Sequence, residues 1–125
     1  MYKTFIKSKL HRVRVTDANL NYQGSITIGQ ELMQAAGIEP FELVHINNLS
    51  NAAHWETYAI PGTKGQIVLN GPPSRLFQAG DLVVVLSMIH LSVGETTVHR
   101  TVFVNPENEI TEVMEKPCSF FLGEH

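Results

Sequence analysis

Short strand-like segments separated by turns recur along almost the whole chain, and they constrain its fold more than any other feature. Seven stretches rich in apolar and β-branched residues read KLHRVRV, ELVHINN, WETYAI, GQIVLN, DLVVVLSMIH, TTVHRTVFV and NEITEV. Turn-forming residues stand between several of them, at Pro61-Gly62, Asn70-Gly71-Pro72-Pro73, Gly80-Asp81 and Asn105-Pro106-Glu107-Asn108. Many short strands with few helices predict a mainly β fold, and a small closed barrel in particular, because closure removes exposed strand edges.

Local patterns refine this prediction. Alternation in KLHRVRV predicts one face formed by Leu10, Arg12 and Arg14 and the other by His11, Val13 and Val15. The stretch GQELMQAAGIEP is typical of a helix, with an apolar face of Leu32, Ala35 and Ala36, a C-terminal cap at Gly37 and a stop at Pro40. The stretch SRLFQAG is compatible with a second short helical turn.

Composition limits the classes of protein that fit. A chain of 125 residues, 43% hydrophobic and 17% charged, predicts a single globular domain over residues 1–125. A formal charge of −3 makes a nucleic-acid partner unexpected. No apolar run approaches a membrane span or a signal peptide, so we expect a soluble, cytoplasmic protein without a membrane partner. The apolar tail residues Phe120, Phe121 and Leu122 are expected to pack on their own barrel or on a neighbouring subunit.

The usual signatures of metal and nucleotide chemistry are missing from the sequence. Six histidines occur, at His11, His45, His54, His90, His99 and His125. No two of them form an H-x-H or H-x-x-x-H pair, so scattered strand and surface histidines are favoured over a metal site. Cys118 is the one cysteine, and the glycines match no phosphate-binding loop.

The pair Gly24–Ser25 at the start of the strand-like segment SITI is compatible with another kind of chemistry, in which the chain cleaves itself. A serine hydroxyl can attack the preceding carbonyl and turn the amide into an ester, and glycine admits the unusual backbone angles that a strained amide needs. Elimination from the ester then leaves dehydroalanine and finally a pyruvoyl group. A pyruvoyl carbonyl acts as an electron sink, the work of a cofactor Schiff base, without an added cofactor. By itself, a Gly-Ser pair more often indicates a turn.

Further stretches accompany this pair. The segment KLHRVRVTDANLNYQGSITI contains the pattern K-x-H-R…V-T-x-A-x-L-x-Y-x-G-S, and AAGI, TYAI, NG and GDLVVVLSM follow it in order. In these residues, from about Lys9 to Asn108, the chain resembles the bacterial pyruvoyl-dependent aspartate 1-decarboxylases, which make β-alanine for pantothenate. The resemblance implies a six-stranded double-psi β-barrel with one or two short helices. It also implies a homotetramer with active sites between adjacent subunits.

The resemblance further implies roles for individual residues. Self-cleavage at Gly24–Ser25 would yield a short chain, 1–24, and a long chain, 25–125, whose pyruvoyl group comes from Ser25 and forms the Schiff base with the substrate, without a metal or pyridoxal phosphate. Thr57 would support the Gly24 carbonyl during processing, and Tyr58 would return a proton to the substrate carbanion. The remaining residues implied to bind substrate or line the pocket are Lys9, His11, Tyr22, His54, Asn70, Gly71 and Pro72.

The chain departs from the family on the substrate side. His54 stands where the family carries an arginine that holds a substrate carboxylate, and Asn47 replaces a common tryptophan. Imidazole is only partly protonated near neutral pH, and losing a buried bidentate ionic contact can cost about 2–5 kcal/mol. Pro72 and Pro73 replace alanines and offer no backbone N–H to an anion.

These departures leave three interpretations open. The first is decarboxylation of aspartate. The second is the same chemistry on a substituted aspartate, or on an amino acid with a smaller or uncharged side chain, in a specialised pathway. The third is an uncleaved, non-catalytic barrel that binds a metabolite or a partner protein. The third is opposed by the retention together of six residues with implied roles, namely Lys9, Gly24, Ser25, Thr57, Tyr58 and Asn70.

Overall fold

The computed structural model describes residues 1–21 and 23–123, and strands dominate this part of the chain. The strands are β1 (Tyr2–Arg14), β2 (Asp17–Asn19), β3 (Ser25–Gly29), β4 (Leu43–Asn48), β5 (His54–Gly62), β6 (Ile67–Asn70), β7 (Leu82–Ser92), β8 (Thr96–Val104) and β9 (Ile110–Ser119). The helix α1 spans Gln30–Ala36, and a single 3-10 turn spans Pro72–Arg75. The mainly β class with one or two short helices is therefore confirmed.

The strands form one sheet in the order β2-β6-β3-β5-β4-β7-β1-β8-β9. Pairings are parallel between β1 and β8, β2 and β6, and β3 and β5, while the other neighbouring strands are antiparallel. Parallel pairs need crossover connections, so the chain passes repeatedly from one region of the sheet to another. The described residues form nine strands in an order compatible with a barrel-like sheet, and the six-stranded double-psi barrel stays a prediction.

Strict alternation along β1 was a wrong prediction. Leu10 and Val13 are both fully buried, although they were expected on opposite faces. The pairing of β1 with β7 shifts register between Leu10 and Val13, and Arg12 lies there with a φ of 57°. A β-bulge inserts an extra residue and so reverses which face later side chains occupy. The bulge places Leu10, Val13 and Val15 together in the core, with Arg12 exposed.

The predicted helix is confirmed, with a small change in its buried face. Leu32, Met33 and Ala36 are its buried residues. Gly37 has the left-handed conformation (φ 69°), and its N–H donates to the carbonyl of Gln34. A glycine adopts this conformation without a steric cost, which ends the helix before Pro40. Within the described residues, α1 and the 3-10 turn are both too short to cross a membrane.

The C-terminal tail divides into a buried and an exposed part. Strand β9 extends to Ser119, beyond the NEITEV segment expected from the sequence. Phe120 is buried, and its ring lies 5.8 Å from that of Phe5 and beneath the Lys3 ammonium group. Phe121 and Leu122 stay exposed in the single chain. Packing of the tail on its own barrel therefore involves Phe120.

Asn108 joins three segments through its buried side chain. Its Oδ1 accepts from the Arg14 N–H at 2.8 Å, and its Nδ2 donates to the carbonyls of Arg14 and Gly65 at 2.8 and 2.9 Å. We expect Asn108→Ala to lower the free energy of unfolding by about 3 kcal/mol, since buried backbone groups lose their partners. Chemical denaturation followed by fluorescence measures this.

A second variant separates the hydrogen bonds from the backbone conformation of residue 108. Asn108 has a φ of 60°, in the left-handed region that glycine tolerates better than alanine. Asn108→Gly removes the same hydrogen bonds without strain, so we expect it to lose most of the stability that the alanine variant loses. Wild-type stability for Asn108→Gly would contradict a role for the side-chain hydrogen bonds.

Candidate functional site

Ser25 begins β3 and is almost fully buried, with 1% of its surface exposed. It lies directly opposite Asn70 in the antiparallel pairing of β3 with β6. The Asn70 Nδ2 donates to Ser25 Oγ and to Thr27 Oγ1, each at 3.0 Å. Ser25 and Thr27 are two residues apart on a strand, so they share a face and one amide group reaches both hydroxyls. Asn70 therefore fixes the position of the Ser25 hydroxyl.

The Ser25 hydroxyl also points back along the chain. Its Oγ lies 3.5 Å from the carbonyl oxygen of Gln23, to which it donates a long hydrogen bond. Gly24 is half-buried between them and does not adopt a left-handed φ. A Cβ at Gly24 would meet no heavy atom within 4 Å. Gly24 is thus outside the left-handed region, and the Ser25 hydroxyl lies beside the peptide bond that it is expected to attack.

Thr57 and Tyr58 lie on β5, the other neighbour of β3. The parallel pairing of these strands places Ile26 opposite Ala59, both fully buried. Ser25 comes directly before Ile26, and Tyr58 directly before Ala59. The side chains of Ser25 and Tyr58 therefore point to the other side of the sheet from Ile26 and Ala59. Thr57 is buried on β5, one residue before Tyr58, and the same register extended by two residues would put it level with Gly24. The Tyr58 ring stacks on that of Phe41, with 5.8 Å between centroids.

Lys9 and His11 lie far from this group in the order of strands. Both are on β1, and three strands, β5, β4 and β7, separate β1 from β3 in the sheet. Lys9 pairs with Thr101 and His11 with Phe103 in the parallel pairing with β8, so Lys9 and His11 share a face. His11 lines a cleft of about 310 Å³ together with Arg12, Arg14 and Phe103, and Ser25 is not among its lining residues.

The other predicted substrate residues that the structure describes occupy two places. Gly71 is buried with a φ of 82° and follows Asn70, while Pro72 is exposed at the start of the 3-10 turn. His54 begins β5, four residues before Tyr58, and is exposed. Tyr22 lies outside the described residues. One chain thus joins Ser25 and Asn70 by a hydrogen bond and carries Thr57, Tyr58 and His54 on the neighbouring strand β5, with His54 at its start, while Lys9 and His11 lie three strands away.

A cluster of His45, His54 and Glu56 was missed by the sequence analysis. Their nitrogen and oxygen donor atoms all lie within 4.8 Å of one another. Spacing rules for single helices and loops do not detect it, because the residues come from two adjacent strands. The available signal is His54-x-Glu56, an alternation that places both side chains on one face of a strand.

Replacing Asn70 tests the hydrogen bond that its amide donates to the Ser25 hydroxyl. We expect Asn70→Ala to slow self-cleavage and to lower the free energy of unfolding by about 1–3 kcal/mol, because the buried Ser25 hydroxyl loses a donor. Time-resolved mass spectrometry and denaturation measure the two effects. Thr27→Val is the matched control, since it removes the other acceptor of the same amide and should leave cleavage unchanged. Equal cleavage rates in Asn70→Ala and wild type would contradict the role given to Asn70.

Comparison with known proteins shows the family to which the chain belongs. The family model described as Aspartate decarboxylase matches residues 1–111. A protein of Pelotomaculum thermopropionicum called "Aspartate 1-decarboxylase" is 48% identical over 119 residues, which cover 92% of this chain and 90% of that protein. Proteins of the same name from Caldicellulosiruptor bescii and Bacillus licheniformis are 47% and 45% identical, over 93% and 91% of this chain and 94% and 93% of their own lengths. The chain belongs to the aspartate decarboxylase family.

Proposed function

We propose that the chain is a pyruvoyl-dependent decarboxylase that converts L-aspartate to β-alanine and carbon dioxide after cutting itself between Gly24 and Ser25. The observation that carries the proposal is the buried hydroxyl of Ser25, the residue directly after Gly24, which accepts a hydrogen bond from Asn70. The chain that contains it belongs to the aspartate decarboxylase family. The names of the relatives favour aspartate over other amino acids as the substrate.

Self-processing starts from the Ser25 hydroxyl. Its Oγ attacks the carbonyl carbon of Gly24, the amide C–N bond breaks, the hydroxyl proton passes to the nitrogen and an ester forms. Elimination then removes the Cα proton of residue 25 and breaks its Cβ–O bond, which releases chain 1–24 with a free carboxylate. Water then hydrolyses the resulting dehydroalanine, and its nitrogen leaves as ammonia. Chain 25–125 then begins with a pyruvoyl group.

The surroundings of residue 25 fit this chemistry. Ser25 and Asn70 are buried, so bulk water has little access to the ester before elimination. Thr57 is buried on the strand that pairs with β3, and its proposed role is to support the Gly24 carbonyl. The Asn70 amide donates to Ser25 Oγ at 3.0 Å and is the group best placed to orient what Ser25 becomes. A pyruvoyl carbonyl supplies an electron sink for the electron pair left when a carboxylate departs as carbon dioxide.

Tyr58 is the proposed proton donor. After the bond to the carboxylate carbon breaks, the Cα of the substrate needs a proton, and a phenol hydroxyl can supply one. Tyr58 faces the same side of the sheet as Ser25, at the same level of the neighbouring strand. The stack of its ring on Phe41 restricts its orientation.

Partners and location form the second part of the proposal. We propose a homotetramer in which a neighbouring subunit supplies Lys9 and His11, because three strands separate them from Ser25 within one chain. Light scattering tests this, and the mass of a monomer would contradict it. A cytoplasmic location belongs to the same proposal and is supported by the family to which the chain belongs.

An intact mass spectrum of the denatured protein tests the function first. We expect two chains divided between Gly24 and Ser25, the longer one lighter by one ammonia than a chain that starts with serine. A panel of amino acids should then show aspartate decarboxylated fastest. A divided chain that starts with serine would mean that the ester is hydrolysed and no pyruvoyl group forms.

Two outcomes would contradict the proposal. An uncut chain that stays uncut after prolonged incubation at raised temperature would indicate a non-catalytic barrel. A processed protein that prefers another amino acid would keep the chemistry and reject aspartate, as the replacements at His54, Asn47 and Pro72 first suggested.

A further inference from the structure

Three potential metal ligands share one exposed face of the β4–β5 pair. The antiparallel register places His45 opposite Glu56 and Asn47 opposite His54. Residues two apart on a strand point the same way, so all four side chains lie on one face. His45 is half-buried, while His54 and Glu56 are exposed, so a hydrated ion has access to them. Among the described residues, these three form the one such group of His, Cys, Asp or Glu donors.

The distances within the cluster leave room for an ion. Glu56 Oε1 lies 3.7 Å from His45 Nε2, and Glu56 Oε2 lies 3.6 Å from His54 Nε2. Both separations are too long for a direct hydrogen bond. A zinc ion sits about 2.0–2.2 Å from nitrogen and oxygen ligands, so neighbouring donors around it stand about 3.3–3.5 Å apart. The donor atoms of the three residues lie within 4.8 Å of one another, so they would have to draw closer around a bound ion.

Asn47 fixes the tautomer of His54 that can bind a metal through Nε2. The Asn47 Oδ1 lies 2.6 Å from His54 Nδ1 and can only accept, so Nδ1 carries the hydrogen. The neutral ring then has its lone pair on Nε2, which is the atom that faces Glu56. A histidine that binds a metal through one nitrogen usually donates from the other in this way, which fixes its tautomer and orientation.

We propose that His45 Nε2, His54 Nε2 and the Glu56 carboxylate bind a divalent transition metal of the zinc class. Two imidazoles and one carboxylate suit zinc better than calcium or magnesium, which prefer oxygen ligands. Three protein ligands leave a coordination position open to water or to another anion. The competing account is a carboxylate contact with two imidazoles and no affinity for a metal.

The metal would also lie close to the substrate, an inference that rests on the proposed function. Glu56 and Tyr58 are two residues apart on β5, so about 7 Å separates them along the same strand face. A cation at the cluster would therefore meet the side-chain carboxylate of an aspartate whose Cα lies at Tyr58. It would supply a positive charge on the face of β5 that carries Tyr58.

Titration calorimetry of the whole protein with Zn²⁺ tests the site. We expect one ion per chain, and at least tenfold weaker binding in His45→Ala and in Glu56→Gln. Asn47→Ala should weaken binding about 10–100-fold, because the tautomer of His54 is no longer fixed. His90→Ala is the matched control, since His90 is also exposed on a strand and donates to or accepts from Thr4 Oγ1. Wild-type affinity in His45→Ala and Glu56→Gln would overturn the site, as would an absence of binding.

Two further measurements separate this proposal from the decarboxylase proposal. Ser25→Ala cannot form a pyruvoyl group, yet it should bind Zn²⁺ as the wild type does, so failure of catalysis leaves the metal site standing. In the processed enzyme, Zn²⁺ should lower the KM for aspartate in wild type and not in His45→Ala. An unchanged KM with Zn²⁺ bound would overturn the carboxylate contact and keep the metal site.

Discussion

Replacing Ser25 with alanine is expected to leave one uncut chain and to abolish decarboxylation. Alanine has no hydroxyl to attack the Gly24 carbonyl, so neither the ester nor the pyruvoyl group can form. The variant loses the hydrogen bond from Asn70 and the long one to the Gln23 carbonyl, while the Thr27 hydroxyl still accepts from the Asn70 amide. We therefore expect a folded protein whose free energy of unfolding falls by about 1 kcal/mol. Intact mass and carbon dioxide release measure the effect.

Ser8→Ala is the control for removing a buried serine hydroxyl. Ser8 is fully buried on β1, and its Oγ is the one buried side-chain polar atom in the described part of the chain without a hydrogen-bond partner. The variant should divide into two chains and decarboxylate aspartate as the wild type does. A divided Ser25→Ala chain, or decarboxylation by that variant, would contradict the proposed origin of the reactive group.

Replacing Tyr58 with phenylalanine is expected to separate the two reactions. Self-cleavage uses the Ser25 hydroxyl and should continue, because the ring of residue 58 can keep its stack on Phe41. Decarboxylation should slow by about 10²–10⁴-fold, the usual contribution of a positioned general acid. Intact mass spectrometry reports the first reaction and steady-state kinetics with aspartate the second.

Tyr2→Phe is the matched control for the loss of a phenol hydroxyl. Tyr2 is exposed at the start of β1, where its ring lies beside His90, and no proposed step uses its hydroxyl. Both reactions should be unchanged in this variant. If Tyr58→Phe kept more than half of the wild-type turnover, another group would have to donate the proton. If it stayed uncut, Tyr58 would act in processing instead.

Period-2 patterns and turn residues are local properties, and they predicted well. Strands β4 to β8 fall on the segments marked by alternation and by turn residues, and Gly37 caps α1 where a left-handed residue was needed. The bulge at Arg12 was not predicted, because it depends on the register with β7. The extension of β9 to Ser119 was also missed, since its residues pair with β8 and stay mostly exposed.

Motifs close in sequence identified the family and the residue at which the chain is expected to cut itself, since Gly24–Ser25 and Thr57–Tyr58 are adjacent pairs. Tertiary structure alone decided which distant residues meet. The pairing of β3 with β6 places Asn70 on Ser25, although 45 residues separate them. The pairing of β4 with β5 likewise gathers His45, His54 and Glu56, whose spacing matches no ligand motif. Backbone hydrogen bonds between distant strands fix these contacts. Local sequence patterns could not predict them, because the register between two strands depends on both strands.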